Sequence, residues 1–243
     1  MYNGTMKKAA IWLTYALLWE LGARLVDKAI LLPSFTHVMS VMIQQAQTAS
    51  LWLALGQTLG RVMVGTAIAL GLALVFSVSA ERYTRIKPWL QPLVIVTKTI
   101  PNITYILLVL IWFSREMTVT IITLLILFPV LYSHLSTAID TVMPTYLDLS
   151  KLYPERFVHR VRYVILPLIG PHIAEGVKTA IALGFKVGVM AELLGQVQPG
   201  LGYLMHLARQ DVDTPALFAY TGWMIVVVVG IEKGIGLWRR THD

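Results

Sequence analysis

The chain has 243 residues, of which 56% are hydrophobic and only 14% charged, with a mean hydropathy of +0.68. A soluble globular domain carries about a quarter charged residues, so the composition excludes that class and points to a bilayer. The net charge of +7 is spread between long apolar runs, not gathered into a nucleic-acid-binding patch, and the absence of cysteine excludes disulfide, thiolate and zinc–cysteine chemistry.

A membrane span needs about 20 mainly apolar residues. Six runs meet that need: 9–32, 51–78, 88–113, 117–139, 172–194 and 214–238. Lys7 and Lys8 ahead of the first run look like the start of a signal peptide, but cleavable cores are about 7–15 residues long. This run continues past Trp19 and Ala23 without a small-x-small cleavage site, so the first helix is expected to be retained. Within it Glu20 and Arg24, one helical turn apart, form a local pair. Pro33-Ser34-Phe35 ends the run, and 35–49 alternates polar and apolar residues at helical spacing, as an amphipathic helix on the outer surface would.

The second run carries Gly56, Gly60, Gly65 and Gly71, small residues that let helix backbones approach closely in lipid. Pro101 lies near the middle of the third run and predicts a kink. The fourth run ends near Asp140, with Pro144 opening a polar segment. The fifth starts after Gly170-Pro171 and holds Gly184 and Gly188 on one face. Between the fifth and sixth, Pro199-Gly200-Leu201-Gly202 marks a turn, and 203–209 reads as a short re-entrant or surface helix. There is no internal repeat.

Lysine and arginine crowd the cytoplasmic side of membrane proteins. With both termini in the cytoplasm, twelve of the twenty basic residues fall inside: Lys7, Lys8, Arg82, Arg85, Lys87, Lys151, Arg156, Arg160, Arg162, Lys233, Arg239 and Arg240. Only Arg24, Lys28, Arg115 and Arg209 fall outside. This bias fixes the predicted topology and puts the 144–170 segment in the cytoplasm. There Leu147, Leu149, Leu152 and Tyr153 supply apolar contacts, while Asp148, Lys151, Glu155 and Arg156 supply charge. Such a segment makes either a rigid knob for a partner's groove or an ordinary loop capping the bundle.

The same segment reads Asp148-Leu149-Ser150, three residues, Pro154, nine residues, then Val164-Ile165-Leu166-Pro167. That spacing resembles the coupling loop of ABC-importer permeases: Glu-Ala-Ala, three residues, Gly, nine residues, Ile-x-Leu-Pro. Further matches follow in order, closest to permeases of the nitrate/sulfonate/taurine importer family. They are Thr58-Leu59-Gly60-Arg61-Val62 with Gly65, Lys98-Thr99-Ile100-Pro101 with Ile111-Trp112-Phe113, and Glu175-Gly176-Val177-Lys178. Ala191-Glu192, Gly200-Leu201-Gly202-Tyr203 and Asp213-Thr214-Pro215 complete the series. The departures are Asp148, Leu149, Ser150 and Pro154 in the coupling pattern, Asn102 where the family has a proline, and Lys186 where it has an apolar or aromatic residue. Pro154 would impose φ near −65° in place of a free hinge, and Asn102 is expected to leave the third helix less broken.

The resemblance implies an all-α membrane protein like a type I ABC importer permease, one permease domain over 1–243 with its family-like core at about 51–240. It implies an ATP-driven, binding-protein-dependent importer in the bacterial cytoplasmic membrane, with no catalysis and no cofactor on this chain. ATP and Mg²⁺ would sit on a cytoplasmic ABC ATPase dimer, reached through Asp148, Ser150, Leu152, Tyr153, Pro154, Glu155 and Arg156. The other implied partners are an extracytoplasmic solute-binding protein, docking on 35–49 and 196–214, and a second permease copy. The implied cargo is a small solute: nitrate, a sulfonate, taurine, or a vitamin or its precursor.

Ionisable residues inside spans are functional candidates because burying them in lipid is costly. Arg61 reads either as lining the translocation pathway or as an anchor paired to a carboxylate or to backbone carbonyls. Lys178, near the cytoplasmic end of its helix, snorkels. Lys98 and Lys186 fall mid-span on helices that line the pathway in the family. Lys186 points away from the glycine face, toward a polar cavity or a partner such as Glu192 or Glu175. Two pathway lysines would favour an anionic solute; structural ion pairs are the other reading. The contrasting functions are a self-contained secondary transporter or channel, which would need internal repeats, and a membrane enzyme, which would need clustered His, Asp or Glu. The sequence has neither, and no Lys-Ser/Thr phosphate loop.

Overall fold

The computed structural model describes residues 2–83, 85–150 and 156–240, with side chains described except at 2–6, 8, 9, 145, 147–150 and 235–240. The described residues are helical, joined by short turns: α1 (Tyr2–Val26), α2 (Phe35–Ala46), α3 (Ala49–Arg82), α4 (Ile86–Thr99), α5 (Asn102–Trp112) and α6 (Arg115–Ser150). A short α7 (Phe157–Arg160) leads through a π turn (Val161–Ile165) into α8 (Leu166–Gly195), followed by α9 (Leu201–Gln210) and α10 (Thr214–Arg240). Backbone groups in hydrocarbon must be satisfied within their own segment, and a helix does this.

α3, α6 and α8 form the centre of the bundle. Their approach is close because glycines face the contact. A Cβ on Gly188 would lie 2.5 Å from Val62, and one on Gly65 would lie 2.7 Å from the Thr120 carbonyl. Gly184 faces Leu127 and Val62 in the same way, so the glycine pair of α8 packs inward as its spacing predicts. Gly56, Gly60 and Gly71 meet no other atoms within 4 Å and leave the rest of α3 open. One core cluster joins Val62, Ile106, Val119, Ile122 and Val187; another joins Ala69, Ala73, Leu127, Leu131 and Ala180. A third, with Leu51, Leu55, Phe185, Val189 and Leu201, seats α9 on α3 and α8.

Three helical stretches are long and apolar enough to cross a membrane: Ala49–Arg82, Arg115–Pro144 and Thr214–Gly234. The pair α4 and α5 makes a fourth if it counts as one span. The length and hydropathy of the described helices therefore give three or four spans where the apolar runs gave six. α8 has the length, at about 45 Å for its 30 residues, but Glu175, Lys178, Lys186 and Glu192 lower its apolar average.

Three boundaries differ from the sequence-based expectation. α4 and α5 meet at 98°, a break instead of a kink. Ile100 is extended (φ −69°, ψ 130°), as a residue before proline prefers, and Pro101 is extended too (ψ 136°). One proline thus stops the helix, and Asn102 begins the next. α6 does not end near Asp140; it runs through Pro129 and Pro144 to Ser150, losing single backbone bonds but not its path. α8 continues directly from the π turn, Ile165 itself being helical (φ −62°, ψ −55°), so Pro167, Gly170 and Pro171 all lie inside one helical path.

The two short helices were expected. α2 is capped by the Ser34 hydroxyl, which accepts from the His37 N–H at 3.2 Å. α9 covers the stretch 203–209, read as a short re-entrant or surface helix. Glu20 and Arg24 pair at 3.4 Å, and Glu20 also accepts from the Thr36 N–H.

Candidate functional site

Polar side chains that sequence spacing left scattered gather in three places. The most buried is where α3, α8 and α9 meet. Glu192, in the last turn of α8, is fully buried and takes the Arg61 guanidinium of α3 at 2.9 Å. Its other oxygen accepts from the Gly202 N–H at 3.1 Å and lies 2.8 Å from the Thr58 hydroxyl. That hydroxyl also lies 2.9 Å from the Ala54 carbonyl, so its one proton serves a single acceptor at a time, while its oxygen accepts from the Leu201 N–H. Arg61 further donates to the Pro199 carbonyl at 2.7 Å and the Gln198 carbonyl at 3.4 Å. Glycine is required on the far side. A Cβ on Gly202 would lie 2.2 Å from the Val189 carbonyl, and one on Gly200 would meet the Glu192 carboxyl at 2.5 Å. The cluster makes contacts of the kind a structural anchor needs, to both a carboxylate and backbone carbonyls.

The second place is a groove of about 320 Å³ between α4 and α6. Lys87, Gln91 and Lys98 share one face of α4; Ser133, Ser136, Thr137 and Asp140 share the facing side of α6. Lys98 donates to the Ser133 hydroxyl at 2.7 Å, and Lys87 forms an ion pair with Asp140. Tyr132 also lines the groove, and its buried hydroxyl has no hydrogen-bond partner among the described residues. Lys98 does not sit in the middle of a continuous helix as expected. It occupies the last turn of α4, beside the break at Pro101, because the span divides there.

The third is Lys186, exposed on a helix otherwise largely buried around it. It has no hydrogen-bond or ion-pair partner among the described residues, and Glu192 is already committed to Arg61. His172, Glu175 and Thr179 are exposed along the same helix, one or two turns apart.

The expected ATPase-coupling residues are only partly described. Asp148 and Ser150 lie in the last turn of α6 with side chains outside the described set, Leu152, Tyr153, Pro154 and Glu155 lie outside the described residues, and Arg156 immediately precedes α7. Beside α7, Arg82 stacks over Phe157 at 4.5 Å and Arg160 reaches Glu81 at 3.8 Å, which ties the segment after the coupling motif to the end of α3.

Sequence reasoning singled out Arg61, Glu192 and Lys98 but not their partners. Thr58 and Gly202 stood inside the matched motifs without a role. The Ser133, Ser136, Thr137, Asp140 series was readable as an i, i+3, i+4, i+7 polar stripe on an apolar helix, yet nothing in the sequence says that α4 faces it.

The family described as binding-protein-dependent transport system inner membrane component matches residues 65–231, from the middle of α3 to α10. A Bacillus subtilis protein named as an aliphatic sulfonates transport permease is 25% identical over 99% of this chain and 90% of its own length. The taurine transport system permease protein of Escherichia coli is 22% identical over 91% of this chain and 82% of its own. The riboflavin transport system permease protein of Chloroflexus aurantiacus is 26% identical over 91% and 83%.

Proposed function

The chain belongs to the binding-protein-dependent transport system inner membrane components, and from that premise we propose how this permease of the bacterial inner membrane works and what it carries. It acts as one of two identical copies around a shared pathway, as a type I importer with six spans and both termini in the cytoplasm. The whole of 1–243 is one permease domain. ATP is hydrolysed on a separate cytoplasmic ABC ATPase pair, which docks on residues 148–162, and closure of that pair turns the pathway from outward- to inward-facing. A solute-binding protein delivers the cargo to the α2 and α9 surfaces.

The observation that carries this reading is the family match running unbroken through the central helices and α9. The positive-inside bias supports the orientation. The cargo proposed is a small organic anion. Relatives named for sulfonates and taurine favour it, as do Lys98 and Lys186, two ammonium groups without a carboxylate partner among the described residues.

Affinity purification from detergent-solubilised membranes of the native organism tests the assembly. An ABC ATPase is expected to co-purify, and replacing Tyr153 and Arg156 with Ala is expected to release it. Recovery of the chain alone, still moving solute in liposomes without ATP, would sink the importer reading.

A further inference from the structure

The groove between α4 and α6 has a composition that the bundle itself does not require. Neighbouring faces of α3, α6 and α8 are closed by alanine, valine, leucine and glycine. Here polar side chains flank an apolar floor of Val94 and Ile95: Lys87, Gln91 and Lys98 opposite Ser133, Ser136, Thr137 and Asp140. Lys87 and Lys98 stand about 16 Å apart along α4, so the groove is long, with a cation at each end. Asp140 neutralises only Lys87. The groove therefore carries one uncompensated positive charge, at Lys98, in about 320 Å³ of space.

The Lys98 ammonium has three donors, and one is used on the Ser133 hydroxyl. Two remain to face the space, together with the side chains of Ser136, Thr137 and Gln91. We infer that this groove is a binding site for the oxyanion head of the transported solute, a sulfonate or carboxylate, held at Lys98 and Ser133. The Lys87–Asp140 pair sets its strength: Asp140 repels the anion and occupies the second cation. This deepens the proposed importer function and rests on it for the identity of the ligand as cargo. The binding itself is a property of the chain alone.

The test uses the full-length chain in nanodiscs of phosphatidylcholine, with ethanesulfonate as the probe and the shift in Tm as the readout. Ethanesulfonate is expected to raise Tm saturably, while ethanol at the same concentrations leaves it unchanged. Lys98→Met is expected to weaken the apparent affinity tenfold or more, as loss of a charged hydrogen-bonding partner does, and Lys98→Arg to retain it. Should Lys98→Met fail to fold, Ser133→Ala gives the same direction with a several-fold loss. Asp140→Asn is expected to tighten binding several-fold, because it removes the only negative charge among the described residues lining the groove; a groove that binds no anion gives no such gain. No Tm shift in the unaltered chain, or an equal shift in Lys98→Met, overturns the assignment. Loss of the shift when phosphatidylglycerol is added also overturns it, making the groove a lipid-headgroup site. The ATPase is not present, so failure here is distinct from failure of the co-purification.

Discussion

At the scale of single residues, the Arg61–Glu192 pair is the strongest test of why charges are kept inside this bundle. Glu192 is fully buried and Arg61 has its side chain 14% exposed. Removing one partner of such a pair leaves an uncompensated buried charge, at a cost of about 3–5 kcal/mol. Arg61→Met should therefore lower thermal stability in detergent sharply. Arg61→Met combined with Glu192→Gln should recover most of the loss, since the amide can still meet Thr58 and Gly202. Equal losses in the single and double variants would show that the carboxylate needs no cation there. The sequence made both charges visible, because ionisable residues are conspicuous in apolar runs. Their pairing was not visible: the two lie 131 positions apart, and helical spacing relates only residues within one helix.

At the scale of elements, the contrast lies between prolines that break a helix and those that do not. Pro101 ends one helix because both it and Ile100 are extended, whereas Pro129 and Pro144 sit inside α6. Pro92 likewise sits inside α4 without ending it, so the extended backbone at Ile100 and Pro101, and not a proline as such, marks the break. α6 is clasped along its length by α3 and α8; α4 is held mainly along its α6 face. The apolar runs located the helices well but missed the break inside the third and misplaced one end each of the fourth and fifth. Because the chain contains no cysteine, spin labels can be placed at Ile95→Cys and Leu108→Cys without background. Pro101→Ala should lengthen their separation toward the roughly 20 Å of a straight helix. An unchanged distance would mean that the packing of α4 and α5, not the proline, holds the bend.

At the scale of the whole molecule, the surface is that of a protein solvated by lipid. Leu25 is 87% exposed, Trp89 83%, Ile111 76% and Trp12 74%, on helices that meet the rest of the chain along one side only. Apolar exposure on this scale is unusual for a soluble monomer. The membrane class was fully legible from composition, because hydropathy is a sum over residues and needs no contacts. The span count was less so, since α8 mixes charge with apolar residues and the third run is folded at its centre. Single-cysteine labelling checks the proposed orientation. A membrane-impermeant maleimide should react with Asp211→Cys in intact spheroplasts and with His159→Cys only after the membrane is opened. Reaction of both from one side would overturn the six-span topology.

The carboxylate of Glu192, carried by α8, bonds to two further helices at once, and this has a mechanical consequence. With Thr58 and Arg61 on α3 and the Gly202 N–H on α9 all converging on it, the turn between α8 and α9 is riveted, not hinged. A load applied to α9 is not absorbed by bending that turn. The same corner is fixed to α3, the helix whose other end, at Glu81, meets Arg160 of α7 within the coupling segment. One unbroken helix thereby joins the buried α8–α9 corner to α7.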